Sequence, residues 1–272
     1  MPQTTSIVQG QQAAVRVTGA IAGAASRSGV SFDYLYNQAR IESGLNPAAR
    51  ARTSSASGLF QFTRQTWLST LKAHGAENGL GWAAAAIERR ANGNYHINDP
   101  AARDAILQLR DEPEAASSMA AAFASDNEAL LGSALNRPIE PVDLYLAHFL
   151  GPAGAKRFLQ AHRDSPQAAA AVLFPEAAST NRSIFYEAGG SPRSFDAIRS
   201  GFAARLGGSI PAQPAFAIVQ NGRTVSHRAT GGRDFAGIDT IRPIEPMPQR
   251  LSLDFARAAY QRLSQMDGAP AA

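Results

Sequence analysis

The glutamate at position 42 has both the chemistry and the placement of a working acid. Phe32, Leu35, Ala39 and Glu42 recur at helical spacing, with offsets of four and three between the last three, so they share one stripe of a helix. Such a stripe packs inward, which is an awkward place for a carboxylate. Gly44 and Pro47 stop the helix just beyond it, the first as a left-handed cap and the second by lacking a donor, so Glu42 falls in the last turn. There, desolvation and the negative end of the helix dipole both disfavour the ionised form. A carboxyl held protonated near neutral pH is what a general acid needs. The alternative is a surface glutamate at a frayed helix end.

The other candidates lie near Glu42 in sequence or far downstream. Ser43 follows it directly. The segment Gly58-Leu59-Phe60-Gln61 starts a second element, and Gly58 admits a backbone approach that a side chain would block. No Asp or Glu occurs between Glu42 and Glu77, so the loop that should border Glu42 offers no second carboxylate. Tyr145 and His148, at i and i+3, project from the same helix face. Taken alone they read equally as a packed aromatic and a satisfied core histidine.

The elements that must position these residues can be traced along the chain. Ser31 is an N-cap for a helix over 32–43. A preceding helix over about 11–25 carries Ala14, Val17, Ala20 or Ile21, and Ala24 on one face. After a loop over 45–57, Thr66, Trp67, Leu68 and Leu71 mark the next helix. The spacing predicts a helix over 82–90 between two glycine-containing turns. Asp99 and Pro100 cap and open another that runs to about 110. Pro113 opens a helix with Met119, Phe123 and Leu130 or Leu131 as its buried stripe, ending near Gly132. Residues 141–159 form two helices around a Gly151-Pro152-Ala153-Gly154 corner. A helix over 166–171, a packed segment at Ile184-Phe185-Tyr186 and a last helix over 195–206 capped by Ser194 complete a unit that ends at Gly207-Gly208.

Residues 208–272 differ in composition. Pro211, Pro214, Pro243, Pro246 and Pro248 read as a tethered, partly disordered tail. Within it, Asn221-Gly222 suits a hairpin turn, and residues 251–266 are amphipathic, a helix able to dock on the domain or on a partner protein.

Composition sets outer limits. Alanine runs and the scarcity of alternating β-branched residues give a mainly α class for the 272-residue chain. There is no cysteine, which removes disulfides and thiolate chemistry, and the five histidines are dispersed, so neither a metal nor a cofactor is expected. The net charge of +4 is scattered rather than clustered, which argues against nucleic acid. No run is long enough to span a bilayer. The polar N-terminus lacks the pattern of a cleavable signal.

Taken together, Ile41-Glu42-Ser43-Gly44-Leu45-Asn46-Pro47, then Gly58-Leu59-Phe60-Gln61, then 147–155 resemble the three ordered motifs of the soluble lytic transglycosylases, whose SLT domain is goose-lysozyme-like. The third motif departs, with His148 and Phe149 where the family usually has Tyr and Asn. The resemblance covers roughly residues 12–206, within a lysozyme-like domain over 1–207. It implies a peptidoglycan substrate, cut between N-acetylmuramic acid and N-acetylglucosamine with a 1,6-anhydro end formed. Glu42 would act first as acid and then as base, where ordinary glycosidases use two carboxylates. By the same resemblance Ser43 orients Glu42 or a sugar substituent, Gly58, Leu59, Phe60 and Gln61 shape the subsite floor, and Tyr145 or His148 supplies the third-motif polar contact. For Leu59 and Phe60 the competing reading is plain core.

The mild positive charge suits such an anionic polymer. The implied setting is the periplasm or cell envelope, reached without an evident signal peptide, or a phage particle. Two rivals stand beside this reading. One is a goose-type lysozyme hydrolysing the same bond, with Asp99 or Asp143 positioning a water. The other is a non-catalytic wall-binding component of a secretion, flagellar or phage assembly.

Overall fold

The computed structural model describes residues 3–207 other than residue 53, and side chains from residue 11 onward. The expected tail hairpin and the 251–266 helix lie outside the described residues. Eleven α-helices and one small hairpin make up the described chain, a mainly α architecture.

The helix that carries Glu42, α2 (Phe32–Ser43), has the bounds its caps dictate. Ser31 Oγ accepts from the Tyr34 amide, and Gly44 closes the other end with φ 61°, its amide bonding back to Ala39 and Arg40. α2 packs against α1 (Gln3–Ser28), α6 (Pro113–Leu135) and α11 (Phe195–Leu206). α1 lies along α6 in the most extensive helix pair, and it is longer than its periodicity suggests; Val17, Ile21 and Ala24 are buried, while Ala14 faces solvent.

α3 (Arg64–His74), capped by Thr63, buries Trp67, Leu68 and Leu71. The expected 82–90 helix stops early: α4 covers only Gly81–Ala86, and the chain then extends into β1 (Glu88–Arg89), paired antiparallel with β2 (Tyr95–His96). The Asn92-Gly93-Asn94 turn lets the strands meet, and this pairing takes backbone bonds that the helix would have used. α5 (Pro100–Gln108), capped by Asp99, passes into a 3₁₀ turn, Leu109–Asp111. On α6 it is Leu131 that is buried, Leu130 being largely exposed, and Asn136 supplies a left-handed cap.

α7 (Pro141–Asp164) contains the expected corner. Gly151, at φ 73° and ψ 162°, is non-helical, and Pro152 restarts the helix in a position where it needs no donor. α7 packs on α6 and α11, with Phe149 edge-on to Phe202 at 5.3 Å and Phe158 edge-on to Phe195 at 5.0 Å. The 166–171 helix is instead a turn followed by the short α8 (Ala170–Leu173). α9 (Pro175–Thr180) and α10 (Arg182–Phe185) complete the wall, and Ile184 and Phe185 are buried. No helix among the described residues is long and apolar enough to cross a membrane.

Candidate active site

The Glu42 side chain lies inside the helical packing, 1% exposed, although it is one turn from the end of α2. Its Oε1 accepts a hydrogen bond of 2.9 Å from the Tyr145 hydroxyl on α7. His148, one turn further along α7, brings Nε2 to 3.5 Å from the same oxygen, without hydrogen-bond geometry. The alternatives left open by sequence are therefore both at the carboxyl, with different parts: Tyr145 is the donor, and His148 is a close neighbour with a free ring nitrogen.

Tyr145 is fully buried and packs edge-on against Phe202 at 5.1 Å, which fixes its ring. Burial, then the charge of Glu42, push its hydroxyl well above the usual tyrosine range, so it stays a proton donor. Tyr34, two turns before Glu42 on α2, is raised for the same reasons in the same order. Between them on that face stands Gln38, 2% exposed, with no partner for Oε1. Glu42 Oε2 likewise has none.

Tyr34 and Gln38 were not singled out by motif. Their signal was nonetheless in the sequence, because 34, 38 and 42 are spaced i, i+4, i+8 on one face. Arg205 near the end of α11 also approaches. Burial lowers its guanidinium from the ordinary value, Tyr145 works the other way, and Arg193 adds to the lowering. Nη1 of Arg205 and Nε of Arg193 are buried without acceptors.

Ser43 and the residues between α2 and α3 are held by contacts within the protein. Ser43 does not bond Glu42: its Oγ donates to the Leu59 carbonyl at 2.8 Å, with the Ala39 carbonyl at 3.0 Å, and so ties the end of α2 to the following turn. Leu59 and Phe60 have no exposed surface and pack as core in this structure. Their side chains are large and apolar, and the turn points both into the packing, where burying each stabilises by about 1.5–3 kcal/mol.

Gln61 is buried too, with φ 48°, and its Nε2 donates to the Gly58 carbonyl at 2.9 Å, closing its own turn. The close approach at Gly58, φ +80°, is to protein: an added Cβ would run into the carbonyl oxygen of Arg110. Arg110 in turn donates to the carbonyls of Ser55 and Phe62, and its neighbour Asp111 pairs with Arg50, so the 3₁₀ turn clamps the loop beneath the α2 end.

The two rival acids are engaged in structure. Asp99 caps α5 through the Ala101 amide. Asp143, with no exposed side-chain surface, accepts from Arg137 at 2.7 Å, from the Glu140 amide at 3.0 Å and from Arg199 at 3.1 Å. Among the described residues, the side chains that meet the Glu42 carboxyl are Tyr145 and His148, and neither is an acid. Among the described residues, no group of three His, Asp or Glu side chains gathers there to hold a metal. No known protein-family model matches the chain.

Proposed function

We propose that the chain is a peptidoglycan lytic transglycosylase of the lysozyme-like, SLT type. Glu42 gives its proton to the glycosidic oxygen between N-acetylmuramic acid and N-acetylglucosamine, and the muramic C6 hydroxyl then closes the 1,6-anhydro ring. The observation that carries this reading is a lone buried carboxyl, held on one oxygen by Tyr145 and unpartnered on the other. Hydrolysis with inversion uses a second carboxylate to activate water, and retention uses one as nucleophile. Asp99 and Asp143 are spent on a helix cap and on two arginines.

The fixed Tyr145 donor aims the carboxyl and supports the negative charge that appears once the proton has left. The cleft that admits a glycan must open beside Glu42, since the carboxyl is enclosed in the structure. That enclosure favours a second reading, a wall-binding assembly component that keeps the fold without turnover.

Mass spectrometry of purified peptidoglycan after digestion separates these functions. Anhydro-muramic ends, abolished by Glu42→Gln, are expected. Reducing ends in their place would make the chain a lysozyme. Binding to the wall with no fragment released by the unmutated chain would make it a binder.

A further inference from the structure

Three buried polar atoms without partners belong to Glu42 and to residues one turn from it or beside it. Glu42 Oε2 and Gln38 Oε1 come from successive turns of α2, and His148 Nε2 comes from α7. The His148 side chain is 5% exposed, its Nε2 stands 3.5 Å from Glu42 Oε1, and Oε1 is already taken by the Tyr145 hydroxyl. A single orphaned polar atom costs about 1–3 kcal/mol, so several at one place are tolerated where a ligand completes them. His148 thus holds an unpartnered ring nitrogen within reach of the acid, where a neutral imidazole with its proton on the other nitrogen can accept one.

Resting on the transglycosylase reading, we propose that His148 is a second proton-transfer group of the site, the base for the attacking hydroxyl. In the first step the proton on Glu42 passes to the glycosidic oxygen, and the electron pair of the breaking C1–O bond goes with that oxygen. In the second, a lone pair of O6 forms the new C1–O6 bond while the O6 proton passes to Nε2 of the neutral His148 ring. The imidazolium then lies against the Glu42 carboxylate and returns the proton to it, which restores both groups. One C–O bond is broken and one formed, with no water consumed. The groups facing this proton path are Tyr34, Gln38 and Glu42 on α2, Tyr145 on α7 and Arg205 on α11. Both tyrosines stay protonated, because burial and the nearby Glu42 raise their hydroxyls above the usual range.

The pH dependence of kcat on purified peptidoglycan, with product analysis, tests the proposal. A lone Glu42 cycling from acid to base needs only its own proton at the start, and the rate falls in alkali alone. With His148 as base the unmutated chain gives a bell, falling also in acid as the imidazole gains its proton. His148→Asn is expected to keep the anhydro product, lose the acid limb and drop kcat about 10²-fold with KM unchanged.

An unmutated chain without an acid limb overturns the proposal, and needs no variant to fold. So does a His148→Asn chain with unchanged kcat and profile. Wall cleavage retained by Glu42→Gln overturns the assignment of Glu42 itself, and a wild-type chain that releases nothing overturns both, so the two failures are told apart.

Discussion

The Tyr145 hydroxyl reaches Glu42 Oε1 at 2.9 Å across 103 residues of sequence, joining the end of α2 to the first half of α7. Both groups are out of water, so the bond is stronger than its surface equivalent and its loss leaves the carboxyl with no donor on either oxygen. Tyr145→Phe should therefore reduce the rate of wall cleavage about 10- to 100-fold and destabilise the fold by about 1–3 kcal/mol. Urea titration and anhydro-product release measure the two effects. Equal activity in the Phe variant would show that the hydroxyl does not serve Glu42.

Removing the carboxyl itself should separate function from stability. In Glu42→Gln the amide oxygen can still accept from Tyr145. Wall cleavage should vanish while stability stays level or rises by about 1 kcal/mol, the trade-off expected of an active-site group in a strained position. A urea midpoint that falls by more than about 1 kcal/mol equivalent would mark Glu42 as a structural residue instead.

Gly58 and Gly44 share left-handed φ values, +80° and +61°, yet differ in what surrounds them. At Gly44 an added Cβ meets nothing within 4 Å, so Gly44→Ala carries only the conformational penalty of roughly 1–2 kcal/mol. At Gly58 it meets the Arg110 carbonyl, so Gly58→Ala should lose at least about 3 kcal/mol and detach the clamp on the 45–57 loop. Comparing the two melting curves gives the check.

Asp143 ties stability to acid pH. Burial opposes its charge, but hydrogen bonds from Arg137, the Glu140 amide and Arg199 outweigh it, and its carboxyl is held below the ordinary value of 3.8. A depressed native value means that the unfolded chain binds the proton first, so this stability is full above about pH 4 and is lost as pH falls through the native value. Asp143→Asn should destabilise the chain by about 3 kcal/mol at pH 7, with the difference shrinking at pH 2–3. A difference independent of pH would sink the assignment.

His74 has the opposite sign. Its ring nitrogens lie 2.7 Å from Glu77 and from Asp126; burial lowers its value, but these two carboxylates win and raise it above the ordinary 6.5. The stability it gives is present below pH 6.5 and is lost as pH rises through the higher native value. His74→Gln should accordingly be more destabilising at pH 5.5 than at pH 9, as followed by thermal unfolding at the two values.

Much of the frame that carries Glu42 is written locally. Ser31 and Gly44 bound α2, Thr63 caps α3, Ser194 caps α11, and Gly151 with Pro152 makes the α7 corner; each acts within a few residues, through a backbone group that the sequence places beside it. Periodicity put Leu35, Ala39 and Glu42 on one inward stripe, although packing buries every residue from Tyr34 to Ala39. Local rules also account for the failures: the strand pair 88–89 and 95–96 needs two segments to meet, and no helical spacing reports that.

What only the tertiary structure decided was which way side chains turn and what they meet there. Tyr145 and His148 had equal claims by sequence, and the packing of α7 on α11 made the first a donor to Glu42 and left the second an unpaired neighbour. The same packing buried Leu59 and Phe60, turned Ser43 toward the Leu59 carbonyl and occupied Asp143 with Arg137 from the α6–α7 connection and Arg199 from α11. The sequence alone determined a carboxylate on a buried helix face. The means of holding it came from contacts between distant segments, because desolvation and hydrogen-bond partners are properties of the assembled packing rather than of any one stretch of chain.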